Sequence, residues 1–221
     1  MRKLIIAITT ILYALSIQAQ PDLIPYRKGD QWGYCDKDKK ILIQPRFEEV
    51  NFFTSIYGNM AAKVKRDGKY GLISEAGKEL LPFKYNEVVS LAPGLVKVKI
   101  GDKWRLMHNK HRVKSSKYDD IQLIGSQYLV VKKNKKAGIT DLNGKRLISP
   151  KFDSFETTRL VKYLLARKNG KVGLVNLQRK KVMIPAIYDR IGVITDNKYI
   201  VKHGNKYGLA NAKHKLKLQD V

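Results

Sequence analysis

Acidic residues just past an aromatic recur along this chain. They are Glu48 and Glu49 after Phe47, Glu87 after Tyr85, Asp119 and Asp120 after Tyr118, Asp153 after Phe152, and Asp189 after Tyr188. Two carboxylates at one site can run glycoside hydrolysis or hold a hard cation. Here the same position returns once per repeat and is spread along the chain. The expected role is therefore turn capping and pairing with lysine, since a carboxylate readily accepts backbone N–H bonds in turns. His108 and His111 stand three apart. Zinc needs three or four ligands, and no Cys or carboxylate cluster accompanies this pair, so no metal site is expected. The single cysteine, Cys35, sits where later repeats carry Ile73 and Met107. With no base nearby to activate its thiol, it is expected to be a small apolar filler. The sequence has no phosphate-cradling glycine loop, nucleophile elbow or HExxH helix. The expectation is no catalytic residue, no metal and no cofactor.

The elements that carry these residues follow one repeated order, clearest in Arg167 to Ile191, RKNGKVGLVNLQRKKVMIPAIYDRI. A basic turn leads to Lys, an apolar residue, Gly and two more apolar residues. A second basic turn follows, then three apolar residues, Pro, and Tyr with an acid. The order appears six times, with central positions Gly33, Gly71, Arg105, Gly138, Gly173 and Gly208 spaced 38, 34, 33, 35 and 35 residues apart. The third copy is degraded, with Arg105 for Gly and Ser116 near the place of Pro. Such a period also fits paired helices. The two turns per unit, the Pro, and short runs such as Leu129-Val130-Val131 instead give a β-meander of about three strands. Asn143-Gly144 between apolar runs reinforces this, because both residues tolerate positive φ.

The aromatic-Gly core preceded by Lys, the Gly-Lys turn, and the closing Pro-x-x-[Tyr/Phe]-[Asp/Glu] resemble the WG-repeat (KWG-type β-repeat) family of bacterial proteins. The resemblance covers roughly residues 26 to 215 and departs from the pattern at Arg105, Ala137 and Val172. It implies exported or surface-associated proteins acting through repeat-mediated contacts, without a catalytic site. The fold class expected is all-β, with about six WG-type meanders in an open, curved, solenoid-like stack. The alternative is a closed propeller-like ring. One repeat cannot bury its apolar face alone, so neighbours must stack. Gly in mid-strand marks a close approach; an aromatic of the adjacent repeat is expected over it, with Tyr70 and Tyr207 largely buried. Pro45, Pro82, Pro150 and Pro185 are expected just past the third strand, where a missing N–H costs no ladder bond.

Residues 1–19 read as a signal peptide. Arg2 and Lys3 precede an apolar run from Leu4 to Leu15, and Ala19 is the small residue before a cut. That run is short for a membrane span of roughly 20 residues. Residues 20–221 then form a single β-repeat domain. With one cysteine, it must be held by burial rather than by a disulfide. Its expected location is the periplasm, cell surface or extracellular space.

Lys and Arg number 44 against 19 Asp and Glu, a net charge of +25. Such a field draws in polyanions and weakens with salt. Basic residues precede each core, and Lys69, Lys103, Lys135, Lys136, Lys171 and Lys206 would line one edge if the repeats stack in register. A second candidate is the segment Asn51 to Asn59, which accounts for the long first spacing and places Phe52, Phe53 and Tyr57 in an inserted loop. Capping of the core is the other role open to these aromatics. The function expected is a non-catalytic, exported binding module, with a protein or an anionic envelope polymer such as lipopolysaccharide or an acidic glycan as partner. No specific nucleic-acid recognition and no transmembrane span in the mature chain are expected. A purely structural envelope protein, and more remotely a hydrolase built from the acidic turns, are the alternatives.

Overall fold

A computed structural model describes residues 23–56, 59–108, 111–112, 116–196, 198–211 and 216–220. The proposed signal peptide lies outside them. The described residues form 24 strands and no helix, so no helix is long and apolar enough to cross a membrane.

The strands group into six antiparallel sheets in chain order. The first holds β1 (Ile24–Lys28), β2 (Gln31–Cys35) and β3 (Ile41–Phe47). The second holds β4 (Glu49–Val50), β5 (Thr54–Ile56), β6 (Asn59–Arg66), β7 (Lys69–Ser74) and β8 (Glu79–Tyr85). The third comprises β9 (Glu87–Ala92), β10 (Leu95–Ile100), β11 (Lys103–His108) and β12 (His111–Arg112). The fourth has β13 (Asp120–Ile124), β14 (Tyr128–Lys133), β15 (Lys136–Asp141) and β16 (Arg146–Phe152). In the fifth are β17 (Ser154–Thr157), β18 (Tyr163–Lys168), β19 (Lys171–Asn176) and β20 (Lys181–Tyr188). The sixth contains β21 (Arg190–Thr195), β22 (Lys198–His203), β23 (Lys206–Asn211) and β24 (Leu216–Asp220). The unit is thus mostly four-stranded rather than three-stranded. The extra strand is the segment after each acid, such as Ser154–Thr157, which pairs forward with the next Gly-bearing hairpin.

Alternation of side chains gives each sheet two apolar faces, and stacking buries both in the four inner sheets. In β19, Val172 and Leu174 face the sixth sheet and pack with Ile191, Tyr199 and Val201. On the opposite face, Val175 and Leu177 meet Ile139 and Ile148 of the fourth sheet. Five such cores join consecutive sheets. Among the described residues none joins the sixth sheet to the first, β1 pairs only with β2, and β24 pairs only with β23. The stack is open.

Gly33, Gly71, Gly138 and Gly173 each face a bulge in their own sheet, whereas Gly208 pairs with Leu218 in an unbroken ladder. In the first sheet Trp32 pairs with Phe47 and Tyr34 with Ile43, so two residues oppose four. The same step recurs at Tyr70/Tyr85, Ala137/Phe152 and Val172/Tyr188. A Cβ on Gly173 would lie 2.6 Å from the Ile184 carbonyl oxygen and 2.8 Å from the Ala186 nitrogen. The expectation of a covering aromatic from the next repeat is therefore corrected. The close partner at Gly33 and Gly173 is backbone of the neighbouring strand, joined at Gly138 by the Pro150 ring; at Gly71 an aromatic ring, Phe83 of the same sheet, approaches as well. The prolines lie inside that strand, within the bulge, rather than beyond it. There the ladder is already interrupted and a missing N–H costs nothing. In the third sheet, where Arg replaces Gly, the Trp104–Tyr118 pairing survives as an isolated bridge. Ala137 and Val172, where the aromatic is lost, are buried and keep the register.

Tyr70 is only half-buried, and Tyr207 is exposed. Tyr70 turns its hydroxyl to Glu49 at 2.8 Å and its ring to Lys63 and Lys65. Among the described residues no further sheet covers the face on which Tyr207 lies. Cys35 is buried and free, as a filler should be.

Candidate interaction surfaces

The residue directly after each closing aromatic staples two sheets together. Asp153 Oδ1 accepts Lys136 Nζ of its own sheet at 2.5 Å, and Oδ2 accepts the Asn169 backbone N–H at the next hairpin tip at 2.7 Å. Asp189 does the same with Lys171 at 2.6 Å and Gly204 at 2.7 Å. Asp119 takes Lys103 at 2.8 Å and Lys135 N–H at 3.1 Å. Glu48 caps Gly68 at 2.9 Å, and Asn86 caps Gly101 at 3.0 Å. The lysine ammonium first, and the backbone N–H second, hold Asp119, Asp153 and Asp189 below the usual aspartate range. Asp119, more than Asp102, raises Lys103. These carboxylates are committed to cohesion between neighbours.

Because each staple grips the next hairpin tip, the tips line up along one rim. The six lysines read from the sequence sit at or beside those tips, on β7, β11, β15, β19 and β23 and in the β14–β15 turn. They differ in what holds them. Lys103, Lys136 and Lys171 are ion-paired to the staples. Lys69 occupies the same strand position, but the residue that staples its sheet is neutral Asn86. Among the described residues no carboxylate lies within ion-pair distance of Lys69, or of the exposed Lys135 and Lys168. Lys206 is also engaged in an interaction. Asn86 was not legible as a staple from its residue type, since Glu87 beside it carries the charge. Its register, immediately after the aromatic, was the available signal.

The opposite rim carries the second turns, four of which are capped by the residue three past the Gly. Asp36 accepts N–H bonds from Asp38 and Lys40, Asp141 from Asn143 and Lys145, and Asn176 from Arg179. Ser74 accepts from Lys78. This Gly-x-x-[Asp/Ser/Asn] spacing is readable in the sequence.

The inserted segment is a lengthened hairpin rather than a loop. Its strands β5 and β6 pair from Thr54↔Ala61 to Ile56↔Asn59. Asn51 to Phe53 interrupt the first strand, and the Asn51 carbonyl accepts the buried Tyr34 hydroxyl at 2.7 Å. Burial raises the Tyr34 phenol. Phe53 turns in against Tyr34, ring centroids 4.9 Å apart, and closes the first core. Phe52 is 72% exposed and borders a groove of about 420 Å³ between the second and third sheets, floored by Ile56, Leu72 and Val88. Tyr57 lies outside the described residues. The two aromatics that are described therefore divide the roles between core and surface. His108 and His111 are backbone partners across β11 and β12.

Three units of the chain match a known repeat family. The model of the WG containing repeat matches residues 32–70, 70–104 and 173–207, three of the units described above. No curated protein matches the sequence. Among solved structures it is similar to a eukaryotic initiation factor, at 10% identity and TM-score 0.46, covering 90% of this chain and 63% of that one. It is also similar to PorZ, a bacterial surface component of the type-IX secretion system of Porphyromonas gingivalis. That likeness has 10% identity and TM-score 0.33, and covers 92% of this chain and 32% of PorZ. Hsv2 of Kluyveromyces lactis matches at 9% identity and TM-score 0.38, with 87% and 72% covered. The chain thus spans less than two thirds of the first two.

Proposed function

We propose that the protein is a non-catalytic, exported interaction module whose hairpin-tip rim engages an anionic polymer of the cell envelope. The observation that carries this reading is the uneven pairing along the rim. Asp119, Asp153 and Asp189 pair with their own lysines, while among the described residues Lys69, Lys135 and Lys168 form no ion pair, Lys168 adding only to the wider field at Asp153. Cations at regular intervals along a rigid stack suit a polymer with repeated negative charge, because each contact adds to the same long-range attraction. Commitment of the repeated acids to staples supports the non-catalytic part. Export rests on the Arg2-Lys3 start, the short apolar run and Ala19. A protein partner is the second reading, favoured by exposed Phe52 beside an apolar groove.

The test is retention of the mature protein on immobilised heparin and on lipopolysaccharide across a salt series. Retention that falls steeply with NaCl supports the reading. Retention that is absent at low salt, or indifferent to salt, overturns it.

A further inference from the structure

The sixth sheet presents a face that every other sheet buries. At the position after the repeat's central residue, Tyr34, Leu72, Leu106, Ile139 and Leu174 are fully buried, whereas Leu209 is 54% exposed. Its cross-strand partner Ile200 is 45% exposed, and Tyr207, two residues along on the same face, is 41% exposed. Among the described residues no sheet covers the complementary face of the first sheet, where Cys35 is buried but its partner Ile24 is not. Tyr26 pairs with Gly33 there as Val201 pairs with Gly208, and Ile24 occupies the position of Tyr199. Val201 and Tyr199 are the residues that the fifth sheet's Val172 and Leu174 receive. Ile24 is 42% exposed and Tyr26 half-buried. The stack therefore ends in one half of its own internal interface at each end.

We infer that a second copy of this chain docks its first sheet onto the sixth sheet, extending the stack head to tail. Continuity with an interface already used at five junctions chooses this occupant, since the Leu209 face has the position and polarity of the faces that receive a following sheet. Such a contact is heterologous and leaves a free face at each end, so it propagates instead of stopping at a dimer. Two mature copies, each carrying +23 once Arg2 and Lys3 are removed from the full chain's +25, repel one another. Association should strengthen as salt screens that repulsion, opposite in sign to polyanion binding.

Sedimentation velocity of the mature protein over rising concentration, at low and high NaCl, tests this. Expected are species larger than the monomer at high salt, lost in Leu209→Lys and lost in Tyr26→Lys. An equimolar mixture of these two variants retains one intact pair of faces and should form a dimer that grows no further. A wild type that stays monomeric throughout overturns the proposal. So does a Tyr26→Lys variant that associates like wild type, which would mean that the sixth sheet pairs with itself. A mixture that stays monomeric overturns it as well.

Discussion

Asp153 Oδ2 accepts the Asn169 backbone N–H at 2.7 Å, tying the end of the fourth sheet to the hairpin tip of the fifth. Its other oxygen holds Lys136, so one carboxylate serves two neighbouring sheets. Asp153→Ala should lower the melting temperature, and Asp153→Asn should lower it less, since the amide oxygen still accepts the Asn169 N–H. Equal melting points for Asp153→Ala and wild type would contradict the staple.

The staples also set an acid limit. Asp119, Asp153 and Asp189 have folded pKa values below the unfolded one. Between those values the unfolded chain binds more protons, so stability rises with pH there. Their contribution is complete well above the unfolded value of about 3.9 and is lost as pH falls from there through the folded values. Denaturant midpoints should therefore drop below about pH 4–5, and the triple Asn variant should drop less. An equal drop in both would assign the acid sensitivity elsewhere.

The bulge opposite Gly173 makes a second contrast. Gly173→Ala places Cβ against backbone at 2.6 Å, and overpacking of this kind costs about 1–3 kcal/mol. At Gly192 the nearest atom is Ile200 Cβ at 4.0 Å, so Gly192→Ala should stay within about 0.5 kcal/mol of wild type. Chemical denaturation of both variants checks the pair. Similar losses would place the close approach elsewhere.

The open end predicts unequal leucines. Leu174→Ala removes a fully buried side chain and should cost about 2–5 kcal/mol. Leu209→Ala, measured at low protein concentration and low salt, should cost no more than about 0.5 kcal/mol, as for an exposed site. A large loss at Leu209 would mean that the ring closes.

Tyr34→Phe probes the inserted hairpin. It leaves the Asn51 carbonyl without its buried donor, a loss of about 1–3 kcal/mol. Unchanged stability would mean that the hydroxyl does not hold the bulge.

The repeat, its strands and its stacking were legible because Gly spacing, the apolar runs and the closing aromatics are local and recur. The Trp104–Tyr118 pairing shows how far this goes, since it survives loss of the Gly at Arg105. What failed to show depends on register. Residue type marks Glu87 as the acid of the second repeat, yet the staple is Asn86, one place nearer the aromatic. A Gly in mid-strand announces a close approach but not its source, and a two-residue bulge around Pro is set by pairing across the sheet. Tyr207 and Leu174 occupy equivalent faces, and only the presence of a following sheet decides which is buried. On the rim, sequence supplies the lysines, while the pairs formed by Lys103, Lys136 and Lys171 appear only in three dimensions.

The central claim is that one rim, rather than bulk charge, meets the anionic partner. Two triple variants with the same change in net charge separate these: Lys69, Lys135 and Lys168 to Glu on the hairpin-tip rim, against Lys40, Lys78 and Lys145 to Glu on the opposite rim. The measurement is the dissociation constant for a heparin oligosaccharide at low salt, with both variants confirmed folded by their melting curves. The account predicts a loss of about tenfold or more for the first triple, within the range that focused surface potentials produce, and little change for the second. Equal losses in the two triples would contradict it.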